Sequence, residues 1–262
     1  MHQSAPRSLK YEYDLFVEEE IETYKESISR ETLLKIGDEA VASLQSAMQF
    51  SMNELLLVVE VDKIIRKRLR LPSYATWRKR ELKRRKEQEE FMRPEHWGLS
   101  PDSAVAREIH PPADSRVLVA GAEVASAALY LAAHGCAVTA INGRSDMKAS
   151  LLENADLGNL PGHIDHRAEG LQEWAPAPDR SLSAVVCAPA AFAGLSARQR
   201  AQVIAVLQSA TEDGGVHLVA TLVAGQSGVS LSELKKSYKG WDVSVLEDGA
   251  SGKSFVARKA VA

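Results

Sequence analysis

Apolar residues repeat every three to four positions through the first third of the chain, then gather into short runs separated by turn residues. The first pattern is helical and the second is that of buried strands. Val17, Ile21, Tyr24 and Ile28 predict a first helix, with Asp14 as its N-cap. Ser29 caps a second, whose stripe is Leu33, Ile36, Ala40, Val41, Leu44 and Met48. Leu57, Val58, Val61, Ile65 and Leu69 predict a third, which stops before Pro72 because the residue before a proline avoids helical angles. A fourth runs from about Tyr74 to Phe91. Its apolar residues are few (Tyr74, Trp77, Leu82 and Phe91), so it lies on the surface or projects from it.

Pro94, Pro101, Pro111 and Pro112 then interrupt the pattern and predict a linker over 94–114. Trp97 and Ile109 are its anchors. The chain therefore divides into a helical part, 1–93, and a second domain, 115–262. Arg116–Asn142 reads as strand, small-residue turn, helix and strand. Val117–Val119 is the first strand, and Val124–Ala133 is a helix ended by Gly135. Ala137–Ile141 is the second strand. A parallel pair joined by a helix places ligands at the first turn. Met147–Glu153 is a helix and His163–Arg167 a third strand. Leu182–Cys187 is a fourth strand, and Ser196 caps a helix over Ala197–Ala210. Asp213–Gly215 turns into a fifth strand, Val216–Leu222. Leu231–Lys239 is helical, and Trp241–Leu246 and Ser254–Arg258 are the last two strands.

Composition narrows this picture without naming a partner. With 45% hydrophobic residues among 262, a sizeable core forms without staples. Cys136 and Cys187 sit in apolar strand contexts and read as reduced, buried residues. No signal peptide is evident, and the apolar runs are too short to cross a bilayer, so a cytoplasmic location is expected. His163 and Asp165 could share a strand face as metal ligands do, but no third or fourth ligand accompanies them, and no metal is expected.

Three stretches carry a family likeness. Ala128–Asn142 (ALYLAAHGCAVTAIN), Ser181–Ser196 (SLSAVVCAPAAFAGLS) and Thr211–Leu222 (TEDGGVHLVATL) resemble the class I S-adenosylmethionine-dependent methyltransferases. The resemblance covers about Ser115 to Lys259. It implies an α/β fold: a Rossmann-like, mostly parallel sheet of seven strands with the last antiparallel, here behind an all-α N-terminal domain. A short-chain dehydrogenase competes, through Arg144-Ser145 after the second strand, but lacks the Tyr-x-x-x-Lys pattern.

The resemblance also implies a cofactor site, and its positions are altered here. The acid that ends the first strand is replaced by Val119. The glycines of the following loop correspond to Gly121, Glu123 and Ala125, and only the first is retained. Glu123 puts a carboxylate where backbone should approach the ligand, and it also stabilises the helix start. Asn142 replaces the ribose-binding acid, and Glu169 is nearest to the adenine-binding position. After the fourth strand, Ala188–Phe192 is apolar. Two functions follow as expectations. One is a non-catalytic assembly or recognition module with a degraded S-adenosylmethionine site. The other is an active methyltransferase with an atypical pocket, with RNA as its candidate substrate.

The helical part segregates charge. Its start is acidic, whereas Arg66, Lys67, Arg68, Arg78, Lys79, Arg80, Lys83, Arg84 and Arg85 form a basic block. Three readings fit: a phosphate-binding surface for RNA or DNA, a docking surface for an acidic protein, or a solvated face.

Overall fold

A computed structural model describes residues 8–47, 54–121, 125–141, 160–177, 181–221, 229–248 and 252–261. The chain forms two compact units, Met1–Lys86 and Glu87–Ala262.

The first unit contains α1 (Leu9–Ser27), α2 (Arg30–Ala47), α3 (Glu54–Arg68) and the start of α4 (Tyr74–Phe91). Helix α1 begins earlier than its apolar stripe suggests. Ser8 caps it by accepting from the Tyr11 N–H at 3.2 Å. Asp14, the expected cap, lies inside the helix and accepts from Lys10 at 2.6 Å. Ser29 does cap α2, accepting from the Thr32 N–H. After α3 the chain closes in a left-handed turn: Arg70 has φ +54°, and the Leu71 N–H reaches back to the Arg66 carbonyl. A small core joins α1, α2 and α3 through Ile21, Ile36 and Ile65, flanked by Val17, Val61 and Ile64. Tyr13 is 1% exposed among Phe16, Tyr74 and Trp77, and its hydroxyl donates to the Pro72 carbonyl at 2.8 Å.

In the second unit the Pro-containing segment is packed against the domain. Pro94–Trp97 forms a 3₁₀ turn, and Ser103 caps the short helix α5 (Ala104–Glu108). Ala104 and Ile109 are buried, and Trp97 and Leu99 pack against the same core. The prolines end α4 but leave enough apolar side chains for the segment to dock.

The strands are β1 (Arg116–Ala120), β2 (Ala137–Ile141), β3 (His163–Arg167), β4 (Leu182–Cys187), β5 (Thr211–Thr221), β6 (Asp242–Asp248) and β7 (Gly252–Arg258). Their order across the sheet is β3-β2-β1-β4-β5-β7-β6. The first five are parallel, and β7 runs antiparallel between β5 and β6. This is the seven-stranded sheet, last strand antiparallel, that the resemblance implies. Side chains alternate faces along each strand. Val117 and Val119 enter the core under α6 (Ala125–Ala133), whereas Leu118 and Ala120 enter the core under α7 (Ala197–Ala210) and α8 (Leu231–Ser237).

Strand β5 begins at Thr211, five residues before the sequence pattern suggests. Asp213–Gly215 forms a bulge inside the strand, not a turn before it: Leu182 pairs with Thr211, Ala184 with Val216, and the register shifts between them. Gly214 has φ +80° and its N–H donates to the Lys259 carbonyl, so the glycines are held by the continuation of β7.

Candidate functional site

Ligands of doubly wound sheets bind at the carboxyl ends of the strands, where the order reverses. Here that point lies between β1 and β4. Ala120, Ile141 and Arg167 form one register row across β1, β2 and β3. Gly121 follows β1 and Glu169 lies two residues past β3, so both stand at this edge.

Gly121 has φ +121°. Its N–H donates to the Ile141 carbonyl at 2.8 Å, and the Ala188 N–H donates to the Ala120 carbonyl at 2.8 Å. These bonds draw the segment after β4 against the turn after β1. A Cβ on residue 121 would stand 2.8 Å from the Ala188 Cβ and 3.3 Å from the Ala191 nitrogen. Pro189–Phe192 is a 3₁₀ turn anchored by the buried Phe192 ring. The bare backbone of Gly121 therefore admits the protein's own alanines. Val119, at the acid position, is fully buried in the core.

Glu169 is turned toward its own strand. Its Oε1 lies 3.6 Å from the Arg167 guanidinium, which also donates to Asp165 at 3.1 Å. Asp165 is thereby engaged by arginine. Among the described residues no cluster of His, Cys, Asp and Glu side chains has the makings of a metal site. Glu123 and Asn142, the other two expected cofactor positions, lie outside the described residues, as do the expected helix Met147–Glu153 and Arg144-Ser145. A cavity of about 320 Å³ is lined by Arg116, Thr139, His163, Asp165, Arg167 and Trp174.

The thiols are poorly suited to chemistry. Both cysteines are free and buried. Burial pushes Cys136 up to about 11 and Cys187, at the end of β4, up to about 12, so neither is a thiolate near neutral pH.

The alternation of strand five makes His217 a core or edge histidine, and the structure places it in the core at the centre of a buried polar chain. His217 is fully buried on β5, 2.7 Å through Nε2 from the Thr211 hydroxyl and 2.7 Å through Nδ1 from the Tyr238 hydroxyl. Thr211 donates its single hydroxyl proton to the Leu207 carbonyl at 2.7 Å. Nε2 must therefore carry the proton and donate to Thr211, and Nδ1 accepts from Tyr238. Burial, and secondarily Lys259, pushes His217 down to about 3, so the ring is neutral. The signal was a histidine within an apolar strand, but its partners lie 6 and 21 residues away.

Several arginines of the basic block are engaged within the first unit. Arg66 donates to the Tyr13 hydroxyl and stacks over its ring. Arg68 pairs with Glu39. Arg84 and Arg85 grip Glu81, and Arg85 also reaches Glu12. The hydrogen bond from Arg84, joined by that from Arg85, brings Glu81 down to about 2. Lys67, Arg78, Lys79, Arg80 and Lys83 are exposed. On α4 the less exposed positions Tyr74, Trp77, Glu81, Arg85 and Gln88 form one stripe, and Lys79, Lys83 and Lys86 point the opposite way.

The sequence matches no protein-family model and no curated protein. Solved structures do resemble it. TehB from Haemophilus influenzae is 20% identical with a TM-score of 0.50, over 62% of this chain and 62% of that one. The N-methyltransferase NodS from Bradyrhizobium japonicum is 13% identical with a TM-score of 0.47, over 62% of this chain and 100% of that one. Magnesium protoporphyrin IX methyltransferase (ChlM) from Synechocystis, with bound S-adenosylmethionine, is 14% identical with a TM-score of 0.46, over 57% and 71%. The chain thus spans less than two thirds of TehB. Likeness at these identities shows the fold alone, and with the strand order it defines the class: the second unit has a methyltransferase-like Rossmann fold. Among the described residues, no helix is long and apolar enough to cross a membrane.

Proposed function

We propose that this chain is a non-catalytic recognition or assembly module, built on a methyltransferase fold whose cofactor site is given over to internal packing. The observation that carries the reading is the seating of Ala188 and Ala191 against Gly121. S-adenosylmethionine needs bare backbone at that turn and charged acceptors for its ribose. The turn holds the Ala188 side chain and the Ala191 backbone, Val119 supplies no carboxylate, and an amide at Asn142 accepts hydrogen bonds without the charge that makes them strong. These residues do not fit the cofactor. Calorimetric titration of the full chain with S-adenosylmethionine and S-adenosylhomocysteine should be flat up to millimolar ligand. Micromolar binding would overturn the reading in favour of an active, atypical methyltransferase.

The recognition surface in this reading is the outward face of α4, and its partner is RNA. Lys79 and Lys83 are four residues apart, one turn of helix, with Arg78 and Arg80 flanking them, an array that can follow a phosphate backbone. Retention on RNA should fall steeply with salt. Lys79→Glu with Arg80→Glu and Lys83→Glu should abolish it and leave the helical circular dichroism unchanged. Unaltered retention by that variant would remove α4 from the reading.

A further inference from the structure

We propose that the open sheet face over β1, β2 and β3 is a ligand pocket, and that it takes a mononucleotide, free or as the terminal unit of RNA. This goes beyond the recognition reading and does not depend on it. A parallel sheet is normally covered and apolar on both faces. Here one face is neither. Register places Arg116, Ala137 and His163 in one row across β1, β2 and β3, and Leu118, Thr139 and Asp165 in the next. Partners in a row share a face, and Leu118 marks it as the face that α7 covers further along the sheet. An arginine and a threonine thus stand on inner strands of the sheet, and His163 and Asp165 beside them are exposed. No helix covers them from the connection between β3 and β4, because its described residues contain none.

The cavity of about 320 Å³ lies on this face, at the small end of the range of about 300–1,000 Å³ for ligand pockets. Ala137 and Thr139 on β2 are its short side chains, with Arg116 on one side and His163 and Asp165 on the other. Trp174, half-buried against the core under α7, also lines it. Three demands on a ligand follow. The Arg116 guanidinium has no hydrogen-bond or ion-pair partner among the described residues, so it calls for an anion. Asp165 gives Oδ2 to Arg167 at 3.1 Å, which leaves Oδ1 to accept an N–H and Arg116 as the unbalanced charge. The indole of Trp174 offers a flat surface to a ring. Spacing decides among ligands that carry all three groups. Arg116 and Asp165 are two strands apart, about 10 Å between backbones. The carboxylate and ammonium of an aromatic amino acid share one carbon and are too close to serve both. A nucleotide holds its phosphate and its base N–H at opposite ends of a ribose, which suits that span.

Titration of the full chain with AMP tests this. AMP should bind in the high micromolar range and quench the Trp174 emission, and Trp174→Phe should lose the quench. Arg116→Ala should weaken AMP about tenfold or more and leave adenosine binding unchanged, because it removes only the phosphate contact. Asp165→Ala should weaken AMP and adenosine alike. Neither Arg116 nor Asp165 is a core residue, so the circular dichroism of both variants should match the parent. An oligoadenylate with a terminal phosphate that competes with AMP, and loses affinity in Arg116→Ala, identifies RNA as the source of the nucleotide. One that does not compete identifies the free nucleotide. The proposal is overturned by a flat titration up to millimolar AMP or by AMP affinity that Arg116→Ala leaves untouched. It is equally overturned by L-tryptophan binding more tightly than AMP.

Discussion

Lowering the pH from 7.5 to 5.0 should cost the second unit about 2 kcal/mol of stability, through His217 alone. The folded-state pKa is depressed, from 6.5 to about 3. Between those values the unfolded chain binds a proton that the folded chain refuses. The stabilisation is complete above the unfolded pKa and is lost as pH falls toward the folded one. Glu81 does not confound this window, because a carboxylate brought down to about 2 exerts its effect below its ordinary value of 4.5. The check is the amide exchange of β5 at the two pH values, with the imidazole carbon-bound proton followed by NMR. That resonance should keep its neutral position down to about pH 4. A ring titrating near 6.5 would show that the Tyr238–His217–Thr211 chain is open to water. Replacement of the ring by His217→Ala should be costlier, about 3 kcal/mol or more, because it leaves a cavity and strands the buried Tyr238 hydroxyl beside it.

Gly121→Ala is the second large effect, with a loss of about 3 kcal/mol. Two terms contribute. A φ of +121° strains any residue with a Cβ, and that Cβ meets Ala188 at 2.8 Å. The terms separate in a double variant: adding Ala188→Gly should recover the contact part and leave the backbone part. Urea unfolding of the parent and the two variants measures both. The outcome also bears on function. If the glycine served ligand approach alone, only the backbone part of the loss would appear, and adding Ala188→Gly would recover nothing. A Gly121→Ala variant as stable as the parent would remove the packing argument.

Much of the fold was legible because local chemistry and tertiary need agree. Ser196 and Gln199 spell a capping box, and both bonds form at the start of α7. Tyr74–Phe91 and Leu182–Cys187 fall where the pattern places them. Misreadings arose where a tertiary partner decides the outcome. Asp213–Gly215 looks like a turn in isolation, yet bonds to Lys259 across the sheet keep it within β5. Ser8 is not evident as a cap because the first apolar stripe starts more than two turns later, at Val17. The site was less legible than the fold. Retention of Gly121 looked like the remnant of a ligand loop, and only the approach of Ala188 from β4 gives that glycine a packing role. The basic block likewise read as uniform, although Tyr13, Glu39 and Glu12 claim several of its arginines from distant positions.

The placement of β7 between β5 and β6 sets a condition on synthesis. Strand β6 leaves the ribosome first, yet its ladder is made with β7. A nascent chain halted after Asp248 would carry β5 and β6 with the groups destined for β7 unsatisfied on both. Completion of the sheet must wait for translation to pass Arg258, and until then two adhesive margins stand open to chaperones or to neighbouring chains.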